Sequence, residues 1–158
     1  MAPPLLVDLS RLDLNRVLYD VDAVQDINPH RYEMRLLDGI VHLDREQGCV
    51  VGFHDAREDE FWVRGHIPGR PLMPGVLMIE TAAQLASFCA KQLNPDEKRF
   101  FGFGGIDEVK FRTPVLPGQR LWILGKFLEN RSRRFKFAAQ GVVNDQLAFQ
   151  AVITGLPM

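Results

Sequence analysis

The sequence predicts an α+β domain in which an antiparallel sheet curls around one long helix. Two patterns carry that expectation. The first is a single long apolar stretch, Pro74 to Leu93, with no polar side broad enough to face water. The second is a switch to period two from Phe100 onward, the alternation of half-buried strands. A helix apolar on nearly all sides has to be covered almost completely, and a curled sheet is the economical cover.

The elements follow in chain order. Residues 1 to about 26 read as an N-terminal arm or short helix, because Leu14, Val17, Leu18 and Val21 recur at helical spacing. Ile27 to Tyr32 is rich in turn residues, and the alternating segments near 34–43 and 46–55 read as strands. Pro74 suits the first turn of the long helix and Lys91 suits the negative end of its dipole. Further on, Trp122, Leu124, Lys126 and Leu128 share one strand face, and Leu121, Ile123, Gly125 and Phe127 the other. A polar corner at Asn130-Arg131-Ser132 separates them from Phe135, Phe137 and Ala139. Asn144-Asp145 reads as a tight hairpin turn between Val143 and Leu147. No repeat, linker or low-complexity tract interrupts the 158 residues, so one domain spans 1–158.

Bulk composition narrows the function classes. Charged residues at 25% and hydrophobic ones at 46% describe a soluble globular chain. A net charge of −1 argues against a nucleic-acid partner, which calls for a concentrated basic face. Cys49 and Cys89 are too few and too far apart for a disulfide framework or a CxxC zinc site, and both read as buried structural thiols. No metal-ligand spacing and no nucleotide-binding glycine loop is present, so no metal or cofactor is expected. The N-terminus lacks a charged region followed by a long apolar one. Pro74, Glu80 and Gln84 break the longest apolar stretch, which argues against a membrane span. A cytoplasmic location is the expectation.

The chemistry concentrates in Gly65-His66-Ile67-Pro68-Gly69-Arg70-Pro71-Leu72-Met73-Pro74-Gly75-Val76, which runs into Glu80 and Gln84. One imidazole is held in a stiff Gly/Pro turn, and one carboxyl group interrupts the apolar face of a helix. Together these are tools for moving protons. A histidine, ordinary pKa about 6.5, serves as a neutral base near neutral pH. A free glutamate, ordinary pKa about 4.3, is ionised there. An acid role for Glu80 therefore needs the apolar setting that Leu77, Met78, Ile79 and Ala83 offer. The amide of Gly75, at the helix N-terminus and without a side chain in the way, is the natural oxyanion donor. Gln84, one turn after Glu80 on the same face, is placed to hydrogen-bond its carboxyl group or a bound water. His30 is expected to brace its own turn against Arg31 and Tyr32, and His42 and His54 to be ordinary strand positions.

These residues, with Pro29-His30-Arg31-Tyr32 and Gly105-Ile106-Asp107-x-x-Lys110-Phe111-x-x-Pro114-Val115-x-Pro117-Gly118, resemble the β-hydroxyacyl-acyl-carrier-protein dehydratases of fatty-acid synthesis, the FabZ type. The resemblance covers roughly Ile27 to Leu156 and implies the hot-dog fold. It places the catalytic histidine on His66, the catalytic acid on Glu80, and substrate contacts on Pro74, Gly75, Val76, Gln84 and Phe101. It implies dehydration of (3R)-3-hydroxyacyl groups on acyl carrier protein to trans-2-enoyl groups without a cofactor, by a homodimer or a trimer of dimers. Glu80, where the isomerising relatives usually have Asp, points to the non-isomerising type. Glu33 departs from the family's common proline, and the first 26 residues are longer than the family leads one to expect. Phe100 and Phe101 fall where an aromatic often gates the acyl tunnel.

Two rivals remain at this level, with a hydratase of coenzyme A esters a weaker third because its usual Asp-then-His order is absent. A hot-dog thioesterase would use Glu80 to activate water, but it gives His66 no task. A non-catalytic acyl-binding domain would keep the fold, but it has no need of both groups. Among Lys110, Arg112, Arg120, Arg131, Arg133 and Arg134, some are expected to dock the acidic carrier protein.

Overall fold

A computed structural model describes all 158 residues. Six strands form one antiparallel sheet in the order β1-β2-β4-β5-β6-β3, with β1 Gly39–Asp44, β2 Cys49–Asp55, β3 Phe101–Phe111, β4 Arg120–Arg131, β5 Arg134–Val143 and β6 Gln146–Pro157. A short helix, α1, spans Val21–Ile27, and the long helix, α2, spans Gly75–Leu93. The sheet wraps α2, and this is the hot-dog arrangement expected from the sequence.

Helix α2 forms where the apolar run and its stop signals place it. Pro74 occupies the N-cap, and the Pro74 carbonyl accepts from the N–H groups of Leu77 and Met78. Asn94 closes the other end, its side-chain N–H reaching the Ala90 carbonyl at 3.0 Å. Within the helix only Val76 is exposed. Leu85, Phe88 and Ala82 are fully buried and join Leu121, Ile123, Phe137, Phe149 and Ile153 in the main core. Removing each large side chain from water contributes roughly 1.5–3 kcal/mol.

The alternation read for 121–128 holds where it matters. Leu121 and Ile123 face α2, whereas Trp122 and Leu124 belong to a second apolar cluster on the outer side of the sheet. Leu6, Val7, Leu9, Leu12 and Leu14 of the N-terminal arm pack on that second cluster. The arm is anchored by Gln140, whose oxygen accepts from the Leu6 N–H and whose N–H group reaches the Pro4 carbonyl. The hairpin turn at Asn144-Asp145 is present, both residues having positive φ.

Four boundaries differ from the sequence reading, one being the second strand, which starts at Cys49 instead of near residue 46. Leu14 to Leu18 is not helical, because the N–H groups of Leu18 and Tyr19 pair with the Ile40 carbonyl along the open side of β1. Helix α1 begins only after Asp20, whose carboxylate caps it by accepting from the Ala23 N–H. The strand expected from residue 34 starts at Gly39, since the N–H groups of Leu36 and Leu37 are taken by the Gln84 side chain instead of a neighbouring strand. The corner after β4 falls at residues 132–133, with Asn130 and Arg131 still in the strand.

Candidate active site

His66 is fixed by three hydrogen bonds inside its Gly/Pro turn. Its N–H donates to the Trp62 carbonyl at 2.7 Å, and its carbonyl accepts from the Leu72 N–H at 2.9 Å. The ring nitrogen Nδ1 lies 2.7 Å from the Leu72 carbonyl oxygen. A carbonyl oxygen only accepts, so Nδ1 carries the hydrogen and the neutral ring keeps its lone pair on Nε2. The turn thus selects the tautomer a base requires.

At the start of α2, the N–H groups of Gly75 and Val76 make no hydrogen bond within the chain. They are free donors at the positive end of a helix dipole. A Cβ on Gly75 would come within 2.8 Å of the Phe111 ring, so only glycine lets that ring pack against the start of α2.

Glu80 sits a little over one turn further, its side chain 26% exposed. Its Oε1 accepts from Nε2 of Gln84 at 3.0 Å and lies 3.5 Å from Nε2 of His30. Gln84 is buried, and its amide is saturated. Its oxygen accepts from Leu36 and Leu37, and its nitrogen donates to the Met34 carbonyl as well as to Glu80. No hydrogen-bonding capacity is left on this amide for a further partner. The polar neighbours His30 and Gln84, with Ala83 as the one expected apolar neighbour lining its cavity, surround this carboxyl group. Met78 and Ile79 point into the core.

The cavity beside Glu80 has a volume of about 200 Å³ and runs along the Glu80-Ala83-Ser87 face of α2. Phe100, Phe101 and Phe103 line it from the start of β3, and Phe135 from β5. Phe101 is one of the residues lining this cavity. His66 does not line it, and no hydrogen bond joins His66 to Glu80 within one chain.

Two histidines do more than expected, although the His30 carbonyl does accept from Arg31 at 2.9 Å in its turn. His30 is a wall of the Glu80 cavity, with its Nδ1 buried and without a protein partner. Some fifty residues separate it from Glu80, so no local spacing could announce the contact. His54 is wholly buried in β2, with Nδ1 on the Leu36 carbonyl at 2.6 Å, Asp38 at 3.2 Å and Nε2 3.4 Å from Glu60. Burial pushes the His54 imidazole down. Asp38, the Leu36 carbonyl and Glu60 outweigh that and leave it above its ordinary value. Asp38 also holds Arg35 and Arg57, so this cluster ties β2 to the segment leading into the His66 turn. His42 remains an ordinary strand residue of β1. Both thiols are buried, and burial pushes the Cys89 thiol up to about 12, which leaves it inert.

The basic residues separate clearly. Arg120 makes a two-pronged pair with Asp55, and Arg131 and Arg134 both pair with Glu129. Arg133 stands in the hairpin beside them, at the end of the sheet near the C-terminus of α2. Lys110 and Arg112 instead flank Phe111, the residue packed at Gly75.

With this geometry in place, comparison with known proteins identifies the relatives. The FabA-like domain model matches residues 28–152. The chain belongs to the FabA-like family. It is 35% identical over 144 residues to the 3-hydroxyacyl-[acyl-carrier-protein] dehydratase FabZ of Albidiferax ferrireducens, covering 89% of this chain and 95% of that protein. To the FabZ of Syntrophobacter fumaroxidans it is 38% identical over 133 residues, covering 84% and 89%. Among solved structures, the dehydratase heterocomplex ApeI:P from Xenorhabdus doucetiae superposes with a TM-score of 0.73 at 15% identity, over 85% of this chain and 90% of that one. Cj0977 from Campylobacter jejuni superposes with a TM-score of 0.64 at 14% identity, over 87% and 88%. At such identities the structural matches establish the hot-dog fold of this FabA-like chain and nothing finer.

Proposed function

We propose that this chain dehydrates (3R)-3-hydroxyacyl groups carried on acyl carrier protein to trans-2-enoyl groups, in fatty acid biosynthesis. The observation that carries the reading is the His66 tautomer: Nδ1–H is committed to the Leu72 carbonyl, so Nε2 is free to accept a proton. Nε2 removes a proton from the α-carbon while the free N–H of Gly75 stabilises negative charge growing on the thioester oxygen. The bond between the β-carbon and its hydroxyl breaks as Glu80 protonates the departing oxygen, which leaves as water. The electron pair of the α C–H bond becomes the new double bond. His66 then holds the α-proton and Glu80 has lost one, so one proton passes back from histidine to carboxylate before the next turnover.

The reading includes a second copy of the chain. His66 and Glu80 occupy separate places in one chain, and β3 is an edge strand carrying exposed Phe103, Val109 and Phe111 beside the exposed Val76. An exposed apolar edge of that kind calls for a partner. Pairing two copies along β3 covers it and brings the His66 turn of one to the Glu80 cavity of the other, with Pro74 and Val76 at the junction. Lys110 and Arg112, beside Phe111, are the cations placed to receive the acidic carrier protein. No helix is long and apolar enough to cross a membrane, and the proposed setting is the cytoplasm.

The test is incubation with crotonoyl groups on carrier protein and on coenzyme A. Dehydratase chemistry in reverse hydrates the double bond, so enoyl absorbance falls while the thioester stays intact. Release of free thiol with the enoyl group unchanged marks a thioesterase and overturns the proposal.

A further inference from the structure

The wall of the Glu80 cavity contains an imidazole that the reaction as written leaves unused. His30 is held tightly in place. The Asn28 side chain donates to the Gln84 carbonyl at 2.9 Å, which stitches this segment to α2 beside Glu80. The Arg31 guanidinium bonds the carbonyls of Asn28, His30 and Gln25, which closes the turn. The backbone carrying the ring is thereby fixed, and the ring's Nε2 faces Glu80 Oε1 at 3.5 Å. That is longer than a formed hydrogen bond, and catalytic contacts of this kind are often long before substrate binds.

The position of the ring hydrogen follows from its other nitrogen. Nδ1 is buried with no protein partner. A buried acceptor without a partner is tolerated better than a buried N–H without one. The neutral ring therefore carries its hydrogen on Nε2, toward Glu80. The imidazolium would leave an N–H stranded at Nδ1, so the geometry also resists transfer of the Glu80 proton onto His30. Burial pushes the imidazole below its ordinary value, Glu80 pulls the other way, and Arg31 adds to the lowering.

We propose that His30 is a positioning residue for the acid: its Nε2–H and the Gln84 amide together reserve Oε1 of Glu80 as an acceptor, so the transferable proton sits on Oε2. Gln84 cannot turn its amide over to give up this role, because Leu36 and Leu37 require its oxygen where it is. As Glu80 releases its proton to the leaving hydroxyl, negative charge grows on the carboxylate. Both N–H groups bind that charge more strongly than they bind the neutral acid, which lowers the barrier without tightening substrate binding. The inference rests on the reading of Glu80 as the proton donor.

The experiment compares His30→Phe, His30→Gln and Glu80→Gln in hydration of crotonoyl carrier protein, with thermal unfolding as a check on folding. His30→Phe is expected to lower kcat about tenfold with KM within about twofold, the effect of losing one charge-assisted hydrogen bond. His30→Gln keeps an N–H at similar reach and recovers most of the loss. In the Glu80→Gln background, adding His30→Phe costs nothing further, because the group it positions is already gone. If His30→Phe does not fold, His30→Asn, whose amide is too short to reach Oε1, takes its place with the same expectation. Unchanged kcat in the Phe or Asn variant overturns the proposal. So does a Gln variant no better than Phe, or losses that multiply in the double mutant. Full activity in Glu80→Gln alone instead overturns the reading of Glu80 as the acid.

Discussion

Gln84 donates to Oε1 of Glu80 at 3.0 Å while its own oxygen is held by the N–H groups of Leu36 and Leu37. One buried amide therefore secures both the Glu80 carboxyl group and the chain segment that leads into β1. Gln84→Leu strands those two N–H groups and the Met34 carbonyl. The expected cost is on the order of 3 kcal/mol of stability, with a loss of activity from the freed carboxyl group. Urea denaturation of the variant measures it, and a midpoint equal to wild type would contradict this account.

His66→Ala removes the proposed base but only modest packing, since the side chain is half-buried in a turn. Turnover should fall by roughly two to four powers of ten, with a melting temperature within a few degrees of wild type. Steady-state kinetics beside thermal unfolding separates the two effects. A variant that keeps most of its activity removes His66 from the mechanism.

The His54–Asp38 pair gives stability a defined dependence on pH. His54 titrates above its ordinary value when folded, so its contribution is complete below the ordinary histidine range and is lost as pH rises through the raised value. Burial pushes Asp38 up, but hydrogen bonds from His54 and the Asp55 N–H, the His54 charge and Arg35 together hold it below its ordinary value. Its contribution is present above the ordinary aspartate range and is lost as pH falls through the lowered value. The melting temperature should therefore decline as pH rises past the histidine range, and His54→Gln should flatten that decline. Thermal unfolding from roughly pH 5 to 9 tests this; a decline that survives in His54→Gln would assign it elsewhere.

The proposed sharing of the site between two chains makes a prediction about two inactive parents. A dimer of one His66→Ala chain and one Glu80→Gln chain contains one doubly defective site and one intact site. Equal mixing makes about half the dimers hybrid, so about one quarter of wild-type activity should return. Co-expression with two affinity tags isolates the hybrids. Mixed dimers as inactive as their parents would mean that each site draws both groups from one chain.

The sequence by itself determined the elements whose signals are local. An apolar run of nineteen residues bounded by Pro74 and Asn94 becomes α2 because no other arrangement hides it. Period two after Phe100 becomes β3 to β6, and Asn144-Asp145 becomes a hairpin because few residues accept positive φ twice. The Gly/Pro turn and the carboxyl group one turn inside α2 were legible as candidate chemistry because both are fixed by neighbours in the chain. The tertiary structure alone decided what depends on distant partners. Leu36 and Leu37 left the expected strand for Gln84, forty-eight and forty-seven residues away. Leu14 to Leu18 gave up a helical pattern to line the edge of β1, and the arm became a cover for Trp122 and Leu124. His30 became a cavity wall as well as part of its turn, and His54 changed from strand filler to the centre of a buried charge cluster. A hydrogen-bonding group that folding removes from water must find a partner wherever the chain brings one, and sequence spacing carries no record of where that is.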